Sequence, residues 1–262
     1  MAQLLDPVHI ASHIRAVTPD EVDFYREHGW VKLKGLVSAE LTSELLRTGN
    51  EWHDRHGKRG DEWLPMAQNS QVELFRSLVF SEVMGRNAQL LIDRTRLSTT
   101  DVGVRYRIDH FIRKPPGAPG VPYHQDTTEH GTDRGGELQF WLALTEARPE
   151  MGTMRFLSGV HREGPLGTVL RPDAQDLLQY YPRLTEHYPL TEAMHYQPGD
   201  ATVHHGFMVH GSAPNRSDRP RMSYIMSFTP ADSRWWNGKV GNWGSERTAL
   251  SDAANPVIYP LA

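Results

Sequence analysis

Apolar positions fall at helical spacing in the first third of the chain and alternate with polar ones through the middle. Thr18-Pro19-Asp20-Glu21 predicts a helix start: Thr18 caps, Pro19 suits the first helical position, and Glu21 completes a capping box. Val22, Phe24 and Tyr25 give that helix an apolar side, and Gly29 ends it. Trp30-Val31-Lys32-Leu33-Lys34 alternates as a half-buried strand does. Ser38 caps a second helix with Leu41, Leu45 and Leu46 on one stripe and Trp52 beyond. A third helical pattern runs from Val72 to Leu91 and holds Leu74, Phe75, Leu78 and Val79.

Near position 97 the texture changes to short strands broken by Gly and Pro. They are expected at Val102–Arg113, Tyr123–Thr127, Leu138–Thr145, Thr153–Leu157, Ala201–His205 and Arg221–Phe228, a spacing typical of a sandwich or barrel. Asp173–His187 has helical composition and is expected outside the barrel; the tail from Arg234, rich in Trp, Asn and Gly, reads as loop. No repeat or linker divides the chain. The expectation is one domain over 1–262: helices to about 96, a barrel core from about 97 to 230, and a loop tail.

The 262 residues suffice for one sizeable core. A net charge of −4 gives no electrostatic reason to expect nucleic acid. With no cysteine, disulfides, zinc thiolates and iron–sulfur clusters are excluded. Met1 to Ile14 carry Asp6, His9 and His13 where a signal peptide needs an apolar core, and no run nears the about 18 apolar residues of a spanning helix. A cytoplasmic protein without membrane partners is expected.

Within this frame one pair of stretches offers chemistry. In an extended strand His124 and Asp126 point to one face, and His210 from a distant strand would complete a two-histidine, one-carboxylate set with half of an octahedral metal left open. A lone H-x-D is weak evidence, because two exposed polar residues at a strand end give the same pattern. His161-Arg162-Glu163 has ligand spacing too, but follows Ser158-Gly159 as a loop would. His204 and His205, adjacent in a strand, face opposite ways, and neither is expected to be a ligand. Arg221 opens an apolar strand with Met222, Tyr224, Met226 and Phe228; a cation entering a barrel needs an anion, and its planar fork suits a carboxylate. Arg219 shares its parity and competes with it.

Several stretches in one order carry a resemblance: Phe24-Tyr25-Arg26-Glu27-His28-Gly29-Trp30-Val31, Lys114-Pro115-Pro116-Gly117, His124-Gln125-Asp126, Trp141-Leu142-Ala143-Leu144, Gly152-Thr153-Met154, Ser158-Gly159-Val160-His161, Gly199-Asp200, His210-Gly211-Ser212 with Asn215, and Arg221. The sequence resembles the phytanoyl-CoA dioxygenase family of iron(II)- and 2-oxoglutarate-dependent oxygenases. The resemblance implies a β-rich α+β fold, a double-stranded β-helix (jelly-roll, cupin-like) core with N-terminal helices packed outside. It implies Fe(II) on His124, Asp126 and His210, with 2-oxoglutarate and O2 as cosubstrates. Arg221, helped by Ser212, would hold the distal carboxylate of 2-oxoglutarate against an aromatic wall at Trp141. Asp126 argues against halogenation, in which a small residue replaces the carboxylate.

Oxidation of an unactivated C–H bond of a small molecule would follow, with hydroxylation, desaturation, cyclisation and epimerisation all open. His130, Asp133, Trp235 and Trp236, with Trp243, are positional candidates for substrate contacts, although the tryptophans would equally serve as packing. The aromatic tail inclines the reading toward secondary-metabolite tailoring, as in antibiotic biosynthesis. Two other classes stay open: a cupin-like oxygenase or isomerase that needs no 2-oxoglutarate, and a non-catalytic binding module.

Overall fold

A computed structural model describes residues 10–57, 63–92, 103–130, 132, 136–167, 176–234, 250 and 252–259. Helix α1 (Pro19–His28) starts with the capping box: Thr18 accepts from the Glu21 backbone while Glu21 reaches back to the Thr18 N–H. It stops at Gly29, whose φ of 74° lets the chain turn directly into β1 (Trp30–Leu33). Ser38 caps α2 (Ala39–His56) through the Leu41 N–H.

The expected third helix is two. α3 (Glu73–Val79) ends at Phe80, and Ser81 caps α4 (Glu82–Leu91) by accepting from the Met84 N–H. The Ser81 hydroxyl also donates to the Leu78 carbonyl, so one side chain closes the first helix and opens the second. Apolar periodicity runs across this break because both helices bury the same side, which is why the pattern alone did not show it.

The strands form two antiparallel sheets. The larger is ordered β1-β7-β5-β9-β3-β10, with β7 at Ala201–His205, β5 at Leu138–Ala143, β9 at Arg221–Pro230, β3 at Val104–Lys114 and β10 at Val257–Tyr259; β2 (Trp63–Leu64) also pairs with β3. The smaller is β4 (Val121–His124), β8 (His210–Ser212) and β6 (Met154–Phe156). β10 corrects the reading of the tail as loop: Val257 and Tyr259 pair with β3 at the sheet edge.

Alternation decides which layer each side chain joins. Phe111, Phe140 and Tyr224 pack outward against Leu45, Phe75 and Leu78 of the helices. Their neighbours Ile112, Trp141 and Ile225 turn inward, toward Met154 and Phe156 of the smaller sheet and Val209 just before its β8. This is the expected double-stranded β-helix core with helices on its outside. Asp109 fastens the β2 segment to it: the carboxylate accepts from the Met66 and Ala67 N–H groups at 2.8 and 2.9 Å and from the Tyr106 and Tyr224 hydroxyls at 2.6 and 2.8 Å. Trp63 is thereby held over His110, with ring centroids 5.8 Å apart.

Candidate metal centre

β4 and β8 pair so that His124 stands opposite His210, with ring centroids 4.3 Å apart. Each ring is oriented the same way. Nδ1 of His124 bonds the Pro122 carbonyl at 2.8 Å and Nδ1 of His210 the Met208 carbonyl at 3.0 Å. A carbonyl only accepts, so each Nδ1 carries the proton and each Nε2 keeps its lone pair. Those Nε2 atoms lie 3.4 and 3.8 Å from Oδ1 of Asp126. The three ligand atoms fall within 4.8 Å of one another, and all three residues are buried. Two imidazole nitrogens and one carboxylate oxygen in this arrangement fit a non-haem iron(II) ion with open positions.

Strand parity is not what brings Asp126 here. β4 ends at His124, and Asp126 begins a short helix, α5 (Asp126–His130), where a strand through Thr127 was expected. The turn between them is set by Gln125, whose buried amide donates to the Gly164 and Phe207 carbonyls at 2.9 and 2.7 Å and accepts from the Leu166 N–H at 2.7 Å. Gln125 is thus the part of His-Gln-Asp that aims the carboxylate, a role no spacing argument reveals. His204 was also missed as a contributor: its Nε2 bonds Oδ2 of Asp126 at 2.9 Å. His205, on the other side of β7, lies by His161, ring centroids 5.5 Å apart.

The electrostatics favour the ligand forms. Burial works to raise the Asp126 carboxyl, but His210, His124 and His204 outweigh it and hold the group well below the usual carboxylate range. Burial, with His204 nearby, pushes His210 well below the usual histidine range, so its ring is neutral near pH 7.

A cavity of about 390 Å³ runs from this centre to Arg221. Arg221 is buried, and burial pushes its guanidinium down to about 10. It bonds the Gly152 carbonyl and lies 5.1 Å over the Trp141 ring. Its Nε has no hydrogen-bond partner, and no carboxylate pairs with it, among the described residues. A buried guanidinium in that condition fits a carboxylate from a ligand. Arg219 is exposed and is not among the residues that line this cavity, whereas Arg221 is. Ser212 lines the same end and accepts from Nζ of Lys114 at 3.1 Å. Lys114 pairs with Arg221 across β3 and β9, a second buried cation that the sequence presented only as part of a turn motif.

The remaining wall is largely apolar: Ile108, Ile112, Val121, Met154 and Ile225, with Trp63, His110 and Gln139 beside them. The substrate candidates Asp133, Trp235 and Trp236, and Trp243, lie outside the described residues. His130 closes α5, and its side chain is likewise not described. No described helix is long and apolar enough to cross a membrane.

A sequence model of the phytanoyl-CoA dioxygenase family matches residues 25–223. The phytanoyl-CoA dioxygenase domain-containing protein 1 of Danio rerio is 31% identical over 138 residues, 51% of this chain and 47% of that protein, so the match spans about half its length. The probable alpha-ketoglutarate-dependent hypophosphite dioxygenase of Stutzerimonas stutzeri is 22% identical over 253 residues, 90% of this chain and 86% of that one. In structure, the non-heme alpha ketoglutarate dependent carbocyclase SnoK from nogalamycin biosynthesis matches with a TM-score of 0.75 at 23% identity, covering 95% of this chain and 98% of its own. EctD from S. alaskensis, solved with 2-oxoglutarate and 5-hydroxyectoine, gives 0.74 at 17% identity, covering 97% and 91%. At these identities the structural likeness concerns the fold.

Proposed function

The chain belongs to the phytanoyl-CoA dioxygenase family, and from that we propose that it oxidises an unactivated C–H bond of a small molecule at an iron(II) centre on His124, Asp126 and His210. The observation that carries the reading is the pairing of two features on one cavity. At one end three metal-competent atoms converge, and at the other a buried guanidinium lacks a carboxylate partner among the described residues. A cosubstrate with both a chelating and a distal carboxylate end satisfies both. Iron(II), 2-oxoglutarate and dioxygen together supply an oxidant strong enough for an aliphatic C–H bond.

The chain's own share is positioning and exclusion of water. The carbonyls of Pro122 and Met208 hold both imidazoles in the ligating tautomer. Arg221 receives the distal carboxylate of 2-oxoglutarate, with Ser212 and Lys114 beside it and Trp141 as the flat wall under the guanidinium. The buried walls keep bulk water from the reacting atoms, which strengthens these interactions.

The substrate reading rests on charge and polarity. Among the described lining residues Arg221 is the one permanent cation, and the cosubstrate takes it. What remains is largely apolar, which supports a neutral molecule with apolar surface over a phosphonate or an acyl-CoA. Tailoring of a secondary metabolite is the setting that suits it, and the nogalamycin carbocyclase shares the fold. A cytoplasmic location is part of this proposal.

The test is anaerobic titration of metal-free protein with iron(II) and 2-oxoglutarate, following the visible metal-to-ligand charge-transfer band. The band should form in the wild type, vanish in His124→Ala and weaken in Arg221→Ala. Bound iron with no band would instead favour a barrel metal enzyme independent of 2-oxoglutarate.

A further inference from the structure

His204 is the most deeply buried histidine near the centre, with no accessible surface, and it is not one of the three residues whose ligand atoms converge there. It stands on β7 in the larger sheet, while His124 and His210 belong to the smaller one. Its ring packs 4.2 Å from that of His210 and 5.5 Å from Phe156. Nε2 bonds Oδ2 of Asp126 at 2.9 Å, and Nδ1 has no partner among the described residues. A phenylalanine would fill this space without leaving a ring nitrogen unsatisfied. The imidazole therefore earns its place through the one bond it makes.

We propose that His204 is a positioning residue that fixes Asp126 as a single-oxygen ligand. This rests on the metal-centre reading above. Nε2–H engages Oδ2 and turns Oδ1 toward the two ligating Nε2 atoms, 3.4 and 3.8 Å away. A carboxylate with Oδ2 so held does not swing to chelate the metal through both oxygens. One coordination position that chelation would consume therefore stays open for the cosubstrates. The same bond ties the α5 turn to the larger sheet, so the centre is held from both layers of the barrel. Strand parity makes this specific: His205, one residue on, faces His161 on the opposite side.

The experiment measures cobalt(II) affinity of metal-free protein, by competition with a chelator, for wild type, H204F, H204Q and D126A, with the thermal midpoint of each. H204F fills the space and removes the donor, while H204Q places an amide N–H near the position of Nε2. H204F should bind cobalt(II) about 10–100-fold more weakly without a lower thermal midpoint, and H204Q should stay within roughly threefold of wild type. H204F with wild-type affinity overturns the proposal, since a space-filling role predicts that result. So does a loss in H204Q equal to that in H204F. Should H204F fail to fold, H204Q decides: affinity within about threefold of wild type upholds the donor role, and a tenfold loss overturns it. Failure of the underlying centre looks different: the wild type would bind no cobalt(II), or D126A would bind as tightly as wild type.

Discussion

Replacing Arg221 with methionine should separate stability from function. The side chain is buried, and its guanidinium is pushed down to about 10 by burial. At about 1.4 kcal/mol per tenfold change in proton affinity, that displacement from the ordinary arginine value corresponds to a cost of about 3 kcal/mol for holding the charge in the fold near pH 7. Methionine removes the cost and keeps much of the volume. It also removes the bond to the Gly152 carbonyl and the contact with Trp141, which together offset about 1–2 kcal/mol. Metal-free Arg221→Met should therefore be as stable as wild type or more stable by about 1–2 kcal/mol, read from urea denaturation midpoints at equal m-value. Its affinity for 2-oxoglutarate, with iron(II) present and oxygen absent, should fall by about 2–5 kcal/mol, roughly 30- to 5,000-fold, as for truncation of one partner in a buried charge pair. A variant that loses stability yet keeps wild-type affinity would refute the reasoning, because the guanidinium would then be a structural tie.

Two further outcomes follow from the same physics. Burial first, then the rings of His161 and His204, push His205 from 6.5 to about 3, and its Nδ1 accepts from the Phe207 N–H in the neutral form. The folded value lies below the unfolded one, so this stability is fully present above pH 6.5 and is lost as pH falls toward 3, by about 5 kcal/mol at most; His205→Gln should flatten that part of the denaturation profile, and an unchanged slope would count against it. Gly152 sits at φ +70°, and a Cβ there would run into the Ala213 carbonyl oxygen and come within 2.8 Å of Nζ of Lys114. Gly152→Ala should cost about 1–3 kcal/mol in thermal or urea unfolding and weaken 2-oxoglutarate binding, since Arg221 bonds that residue's carbonyl; a loss below about 0.5 kcal/mol would show that the backbone relaxes freely.

Local signals in the chain determined the elements whose causes are themselves local. Thr18, Glu21, Gly29 and Ser38 act within a turn of their own position, so both ends of the first helix and the start of the second followed from their types. Short runs between Gly and Pro breaks likewise marked the strands expected at Leu138–Thr145, which ends at Ala143, and at Ala201–His205. His124, Asp126, His210 and Arg221 were candidates because few side chains suit a metal or a carboxylate inside a barrel, and the family resemblance joined them.

Tertiary structure alone decided the rest. The break at Ser81 was hidden because both helices present the same apolar side to the sheet. β10 exists only because the edge of β3 offers it hydrogen bonds, an opportunity that three residues in the tail do not announce. Asp126 reaches the centre by the Gln125 turn, which depends on carbonyls at Gly164 and Phe207, 39 and 82 residues away. The roles of Lys114 and His204 depend on partners 98 and 78 residues away in sequence. Patterns along the chain report what a residue needs, whereas the packing of one sheet against another determines which distant group meets that need.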